Sequence, residues 1–291
     1  MAIWAHKETK VIVQGITGRE GRHHTAQMLA YGTRIVGGVT PGKGGEWALD
    51  RIPIFDTVRE ACESTGATAS ILFVPPRAAV DAMYEAIDAG ITLMVCLTEN
   101  IPIQDMLQLR RHLHNSHVTL FGPASPGILV PGEVLLGVIP TERTMPGKVA
   151  IVARSSTLLY EAIEALAQHH IGQRICIGLG GDAVMGMDFV EALSMLEDDP
   201  QTEIVVLIGE IGGTAEQNAA RFIRERMSKP VIAYIAGKYA PEEVRMGHGG
   251  AIIVSGVGLH HEKIVALQHA HVRIASDLEA IPSLLKALNP P

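Results

Sequence analysis

His248, in the stretch Met246-Gly247-His248-Gly249-Gly250-Ala251-Ile252-Ile253, is the residue best placed to do chemistry. Small neighbours on both sides leave an imidazole open to a bulky reactant, and a neutral ring nitrogen is a competent nucleophile towards phosphorus. A phosphorylated imidazole needs a carboxylate to orient its other nitrogen and amide donors for the phosphoryl oxygens. Glu210, in Gly209-Glu210-Ile211-Gly212-Gly213, ends a β-branched run, where open α/β sheets place their ligands. Ser155-Ser156-Thr157 follows the run Lys148–Val152 and opens a helical pattern whose free amides suit a phosphate. Glu210 taken alone reads equally well as a brace for its loop. The pairs His23-His24, His169-His170 and His260-His261, and His112, His114 and His117, have no accompanying ligand set, so they read as solvated faces and no metal site is expected.

A second constellation lies near the start of the chain. Residues 10–14 run directly into Gly15-Ile16-Thr17-Gly18-Arg19-Glu20-Gly21 and then a helical pattern, the context in which glycines let backbone approach a phosphate. A ligand-free βα turn would use the same glycines. A nicotinamide dinucleotide site would place Asp or Glu at the end of the second strand, but here the chain reads Val39-Thr40-Pro41-Gly42-Lys43-Gly44-Gly45. A lysine there suits a ligand with an additional phosphate. Gly44 stands where a nucleotide-hydrolysing loop needs Ser or Thr, which argues against ATP hydrolysis at this turn.

The elements that must hold these residues show as apolar runs alternating with helical patterns. Strands are expected at Lys10–Gln14, Arg34–Val39, Ser70–Val74, Thr92–Leu97 and Thr119–Phe121, with helices near 19–31, 56–65, 77–89 and 104–115. Five prolines spread over 122–147 mark a region in which no regular element is expected. The rhythm then restarts, with strands at Lys148–Val152, Arg174–Leu179, Glu203–Ile208, Val231–Ile235 and Val272–Ala275, and helices near 156–169, 188–198, 215–227, 259–270 and 277–288. Such runs suit parallel strands buried on both faces. The expectation is therefore α/β: a Rossmann-like domain over 1–130, then a flavodoxin-like doubly wound domain over 131–291.

Composition narrows the classes of function. With 47% hydrophobic residues in 291, the chain can fill roughly two cores. A net charge of −7 disfavours a nucleic-acid surface. The apolar stretch at 118–132 is interrupted by prolines and glycines, so no membrane span is expected. Cys62, Cys96 and Cys176 are scattered and odd in number, which suits a reducing cytoplasm or organelle matrix, and the expectation is a cytoplasmic protein.

Taken together, GITGREG at 15–21, GGVTPGKGG at 37–45, GATAS at 66–70, LTENIP at 97–102, GEIGG at 209–213 and MGHGGAII at 246–253 resemble, in order and spacing, the α subunit of succinate–CoA ligase. The resemblance implies CoA on Thr17, Gly18, Arg19, Glu20, Lys43, Leu97, Thr98 and Glu99. It makes His248 the phosphorylated histidine, Glu210 its orienting carboxylate, Ser155 and Ser156 the phosphate site, and Tyr160 a neighbour of the acid substrate. It also implies a separate ATP-grasp β subunit that carries ATP or GTP and magnesium, in an αβ or α2β2 assembly. Departures from the family pattern fall near the acid, where Gly-Pro-Asn-Cys-Pro-Gly is replaced by Gly122-Pro123-Ala124-Ser125-Pro126-Gly127, and Ser-Arg-Ser-Gly by Ala153-Arg154-Ser155-Ser156. Ala124 and Ser125 are thus candidate substrate-binding positions. Losing the Asn amide keeps citrate and malate open beside succinate, and the Gly-Pro-Ala pattern also resembles ATP-citrate lyase and citryl-CoA synthetase. A CoA-binding scaffold without catalysis is the alternative of another class.

Overall fold

The computed structural model describes residues 4–114 and 116–288. The first sheet is built from β1 (Val11–Gln14), β2 (Ile35–Val39), β3 (Trp47–Ala48), β4 (Ile52–Phe55), β5 (Ala69–Leu72), β6 (Leu93–Cys96) and β7 (Thr119–Phe121). Between them run α1 (Arg19–Tyr31), α2 (Val58–Thr65), α3 (Pro76–Asp88) and α4 (Ile103–His114). The strand order is β3-β4-β2-β1-β5-β6-β7, parallel throughout except for β3, which runs antiparallel to β4 at the edge. Without that edge strand the order is the doubly wound dinucleotide-fold order, reversing between β1 and β5. Strands β1, β5 and β6 are buried at every position, as their unbroken apolar runs require when helices cover both faces.

The second sheet holds β8 (Gly127–Val130), β9 (Val134–Gly137), β10 (Pro146–Ala153), β11 (Gln173–Gly178), β12 (Ile204–Glu210), β13 (Val231–Ala236) and β14 (Arg273–Ile274). Its helices are α5 (Ser156–Gln168), α6 (Phe189–Asp198), α7 (Ala215–Arg226), α8 (His260–His269) and α9 (Ile281–Leu288). The order is β14-β13-β12-β10-β11-β8-β9. Its five parallel strands follow flavodoxin-like winding, reversing between β10 and β12, while β8 and β9 form an antiparallel edge. The chain leaves the first sheet at Phe121 and enters the second at Gly127.

Two elements differ from the sequence expectation. The proline-rich stretch contains the β8–β9 hairpin, because Pro126 precedes the first strand, Pro131 falls in the turn and Pro140 lies beyond the second. Prolines in those places withhold no ladder donor. The short β3–β4 ribbon at 47–55 was also unexpected; its strands are two and four residues long, too short for a periodic signal.

The two sheets are tied at the strand ends. The Gly122 amide donates to the Leu179 carbonyl at 3.0 Å, and the Gly186 amide to the Gly122 carbonyl at 2.7 Å. Arg110 Nη1 reaches the Met185 carbonyl at 2.8 Å. No helix among the described residues is long and apolar enough to cross a membrane.

Candidate active site

Glu210 is the last residue of β12, and its side chain is buried at the point where the second sheet reverses direction. Its two oxygens face two different bases. Oε2 lies 2.7 Å from His248 Nδ1, and Oε1 lies 3.3 Å from Arg154 Nε at the end of β10. The Arg154–Glu210 contact is an ion pair without hydrogen-bond alignment, which leaves both buried atoms without a hydrogen-bond partner. The His248 ring is about one-third exposed, and because Nδ1 is engaged, Nε2 is the nitrogen left for a reactant. The Glu210 hydrogen bond, partly opposed by burial, holds the imidazolium to higher pH than the ordinary 6.5.

Glycines make this approach feasible. A Cβ on Gly181 would lie 2.5 Å from the His248 ring, and one on Gly250 would lie 2.2 Å from the Arg154 guanidinium. The loop carrying the histidine is closed by the Met246 amide donating to the Ala251 carbonyl at 2.9 Å and is anchored to the loop after β11 by the Gly250 amide donating to the Gly181 carbonyl at 3.0 Å. Arg245 Nε donates to the His248 carbonyl at 3.2 Å.

Helix α5 starts immediately after Arg154, at the same sheet end. Ser155 is its N-cap, with Oγ accepting from the Leu158 amide at 3.4 Å, so the Ser155 hydroxyl serves the helix. The amides of Ser156 and Thr157, in the first turn, have no intrahelical acceptor, and the helix dipole favours an anion there. Tyr160, one turn on, directs its hydroxyl to the Val138 carbonyl at 3.5 Å, and burial pushes its pKa up to about 12. It lies against the segment following β9, not against the His248–Glu210 pair. Ser125 is buried, donating to the Gly178 carbonyl at 2.6 Å and accepting from the Gly127 amide at 2.9 Å. Ala124 holds a positive φ of 54°, with its amide on the Thr98 carbonyl.

The remaining candidates line the carboxyl end of the first sheet. Gly15 has φ +78°, and a Cβ there would lie 2.5 Å from the Phe73 carbonyl oxygen; a Cβ on Gly21 would lie 2.3 Å from the Gly15 carbonyl oxygen. Glycine alone lets this turn and α1 pack so closely. Gly18 caps α1 with its own side exposed, while Arg19 and Glu20 project into solvent 3.9 Å apart. Along this rim Thr17 Oγ1 donates to Thr40 Oγ1 at 3.2 Å, tying the loops after β1 and β2, and Thr98 Oγ1 donates to the Val74 carbonyl at 2.7 Å, tying those after β5 and β6. Lys43 pairs with Glu46 at 2.9 Å in the second loop. Leu97 is half-buried and Glu99 exposed; the Glu99 charge acts on both His248 and Asp182 across the junction of the sheets. Burial first, and Glu99 second, raise the pKa of Asp182.

Sequence reading missed Arg154, Asp182, Glu216 and Lys263. Arg154 directly follows the apolar run that ends at Ala153, and Asp182 follows Gly180-Gly181 beyond β11, strand-end positions that could have drawn notice. Glu216 and Lys263 look like ordinary solvated helix residues, yet both are fully buried. Among the described residues no three His, Cys, Asp or Glu side chains gather as a metal site.

A dinucleotide-order sheet with a close-packed glycine turn, joined to a flavodoxin-order sheet with a His–Glu pair at its switch point, defines a CoA-ligase type of chain. In agreement, the CoA binding domain family matches residues 6–100 and the CoA-ligase family residues 152–273. The chain belongs to the succinate–CoA ligase α-subunit family. It is 51% identical over 274 residues to succinate–CoA ligase [ADP-forming] subunit alpha 2 of Archaeoglobus fulgidus, covering 94% of this chain and 95% of that one. It is 46% identical to the corresponding alpha subunit of Aquifex aeolicus, covering 99% of this chain and 96% of that one. Among solved structures, ATP citrate lyase from Methanothrix soehngenii, in complex with citrate and coenzyme A, superposes with a TM-score of 0.87 at 20% identity. That match covers 97% of this chain and spans about half (51%) of the longer protein, and at such identity it concerns the fold.

Proposed function

We propose that this chain is the α subunit of an NDP-forming acid–CoA ligase that works through a phosphohistidine, converting a dicarboxylate such as succinate, CoA and ATP or GTP to acyl-CoA, NDP and phosphate. The observation that carries the reading is the 2.7 Å His248–Glu210 contact at the sheet end where α5 begins. In the first step the lone pair of Nε2 attacks the γ-phosphorus and NDP leaves, while Glu210 holds the Nδ1 proton and offsets charge on the ring. In the second, a carboxylate oxygen of the acid takes the phosphoryl group and the imidazole is released. In the third, the CoA thiol attacks the acyl phosphate, forms the thioester and expels inorganic phosphate. The chain contributes position and charge, the main levers on phosphoryl transfer, through the α5 amides of Ser156 and Thr157 and the His248–Glu210 pair.

CoA fits the rim formed by Thr17, Gly18, Arg19, Glu20, Lys43, Leu97, Thr98 and Glu99. The Gly15–Gly21 turn has no room for a Cβ at two of its glycines and presents an uncapped helix start, as a phosphate needs. The nucleotide and magnesium belong to an ATP-grasp β subunit in an αβ or α2β2 assembly. The chain works as two units, 1–130 and 131–291, with the strand Gly127–Val130 at the end of the first added to the sheet of the second. A reducing, cytoplasmic setting is supported by three cysteines that are all free thiols.

Ala124 favours a second reading of the acid: a methyl group stands in the loop beside Thr98, so citrate or malate replaces succinate as substrate. Acyl-CoA formation by the chain with its partner, measured over succinate, citrate, malate and glutarate with CoA and ATP, decides the matter. Thioester from succinate at the highest kcat/KM supports the first reading, a preference for citrate or malate supports the second, and none from any acid with ATP or GTP contradicts both.

A further inference from the structure

Behind the His248–Glu210 pair lies an ion pair that no reacting group touches. Lys263 of α8 and Glu216 of α7 are both fully buried, with Nζ against Glu216 Oε2. Two further hydrogen bonds direct this pair at the turn that follows β12. Glu216 Oε1 accepts the Glu210 backbone amide at 3.1 Å, and Lys263 Nζ donates to the Gly212 carbonyl at 2.6 Å. One carboxylate therefore holds the backbone of the residue that orients His248, and its counter-ion holds the backbone two residues on.

The turn has no slack elsewhere. Gly212, at φ +88°, donates its amide to the Gly258 carbonyl at 2.9 Å, and a Cβ on it would lie 2.1 Å from the Gly250 carbonyl oxygen. A Cβ on Gly209 would meet the Glu216 side chain at 2.6 Å. Any shift of 209–212 is thus felt by both Glu210 and the histidine loop. Desolvating two opposite charges is costly, and an apolar pair of like volume would hold α7 to α8 as well or better. What an apolar pair would lack is a donor and an acceptor for the turn.

We infer that Lys263 and Glu216 are positioning residues of the phosphoryl-transfer site: their ion pair clamps the 210–212 turn and so fixes the Glu210 carboxylate against His248 Nδ1. The catalytic consequence rests on the phosphohistidine reading above.

The test uses the chain assembled with its partner and a charge-balanced apolar double variant, Glu216→Leu with Lys263→Met, read by single-turnover labelling from γ-labelled ATP, by KM for CoA and by the His248 Nδ1–H resonance. We expect labelling to slow on the order of 100-fold while KM for CoA stays within about twofold, since only the reacting geometry is lost. The Nδ1–H resonance moves upfield as its hydrogen bond lengthens. A folded double variant that labels at the wild-type rate, with that resonance in place, overturns the clamp. Should the double variant not fold, Glu216→Asp keeps both charges and withdraws the carboxylate by one methylene. It must then show the same slowing and the same resonance shift, and their absence overturns the clamp. If the wild-type assembly takes no label, the phosphohistidine reading fails, and the resonance alone then decides the clamp.

Discussion

Glu210 stands between an imidazole on one oxygen and a guanidinium on the other, so each partner has its own consequence when removed. In Glu210→Gln the Nδ1 proton loses an anionic acceptor worth about 2 kcal/mol, and His248 labelling should slow roughly 30-fold in single-turnover measurements. The pH profile moves as well. Because the Glu210 bond raises the His248 pKa above 6.5, the neutral nucleophile of the wild type appears only above that raised value, and in the glutamine variant the inflection shifts down. The same shift has a stability counterpart. The pair stabilises the fold fully below the ordinary histidine pKa of about 6.5 and loses that contribution as pH rises through the raised one, so urea midpoints should fall with pH across that interval in the wild type and stay flatter in Glu210→Gln. Arg154→Met leaves Glu210 Oε1 buried without its cation, and equilibrium unfolding should show a loss of about 3 kcal/mol. Residue types and spacing made His248, Glu210 and the Ser155-Ser156 turn readable as candidates, because glycines and strand ends mark them in one dimension. Lys263 and Glu216 were not readable, since a lysine in His-His-Glu-Lys and a glutamate in Ala-Glu-Gln look solvated until α7 and α8 pack together.

Among the elements, both candidate regions lie where strand order reverses: β1 beside β5 in one sheet, β10 beside β12 in the other. The parallel strands were legible because burial on both faces demands unbroken apolar runs. The β8–β9 hairpin was not, because proline density hides strands whose prolines sit outside the ladder. Loop glycines set the fine geometry, and this gives a sharp test. In Gly181→Ala the new methyl group falls within 2.5 Å of the His248 ring, where no strained backbone angle is involved. Labelling should drop while CoA affinity, measured by calorimetry, stays unchanged. Gly21→Ala should do the reverse. Its methyl group meets the Gly15 backbone, which must shift at a cost of about 1–3 kcal/mol, so CoA binding weakens while phosphohistidine formation persists.

For the whole molecule, the hydrogen bonds between 122–125 and 178–186 join two sheets whose strand ends converge, as the proposed reaction between a thiol carrier on the first and an imidazole on the second requires. Neither sheet alone contains both parts. With the nucleotide proposed to sit on the partner subunit, the α chain alone should bind CoA and take no label from ATP. If His248 receives a phosphoryl group and gives it up to a carboxylic acid, phosphate on that residue in the assembled protein is the direct measurement. After incubation with γ-labelled ATP, base-stable, acid-labile label is expected on His248, absent in a folded His248→Asn variant and discharged as orthophosphate when the carboxylic acid and CoA are added. An assembly that forms acyl-CoA with no label on His248, or that labels equally in His248→Asn, would contradict phosphoryl transfer through His248.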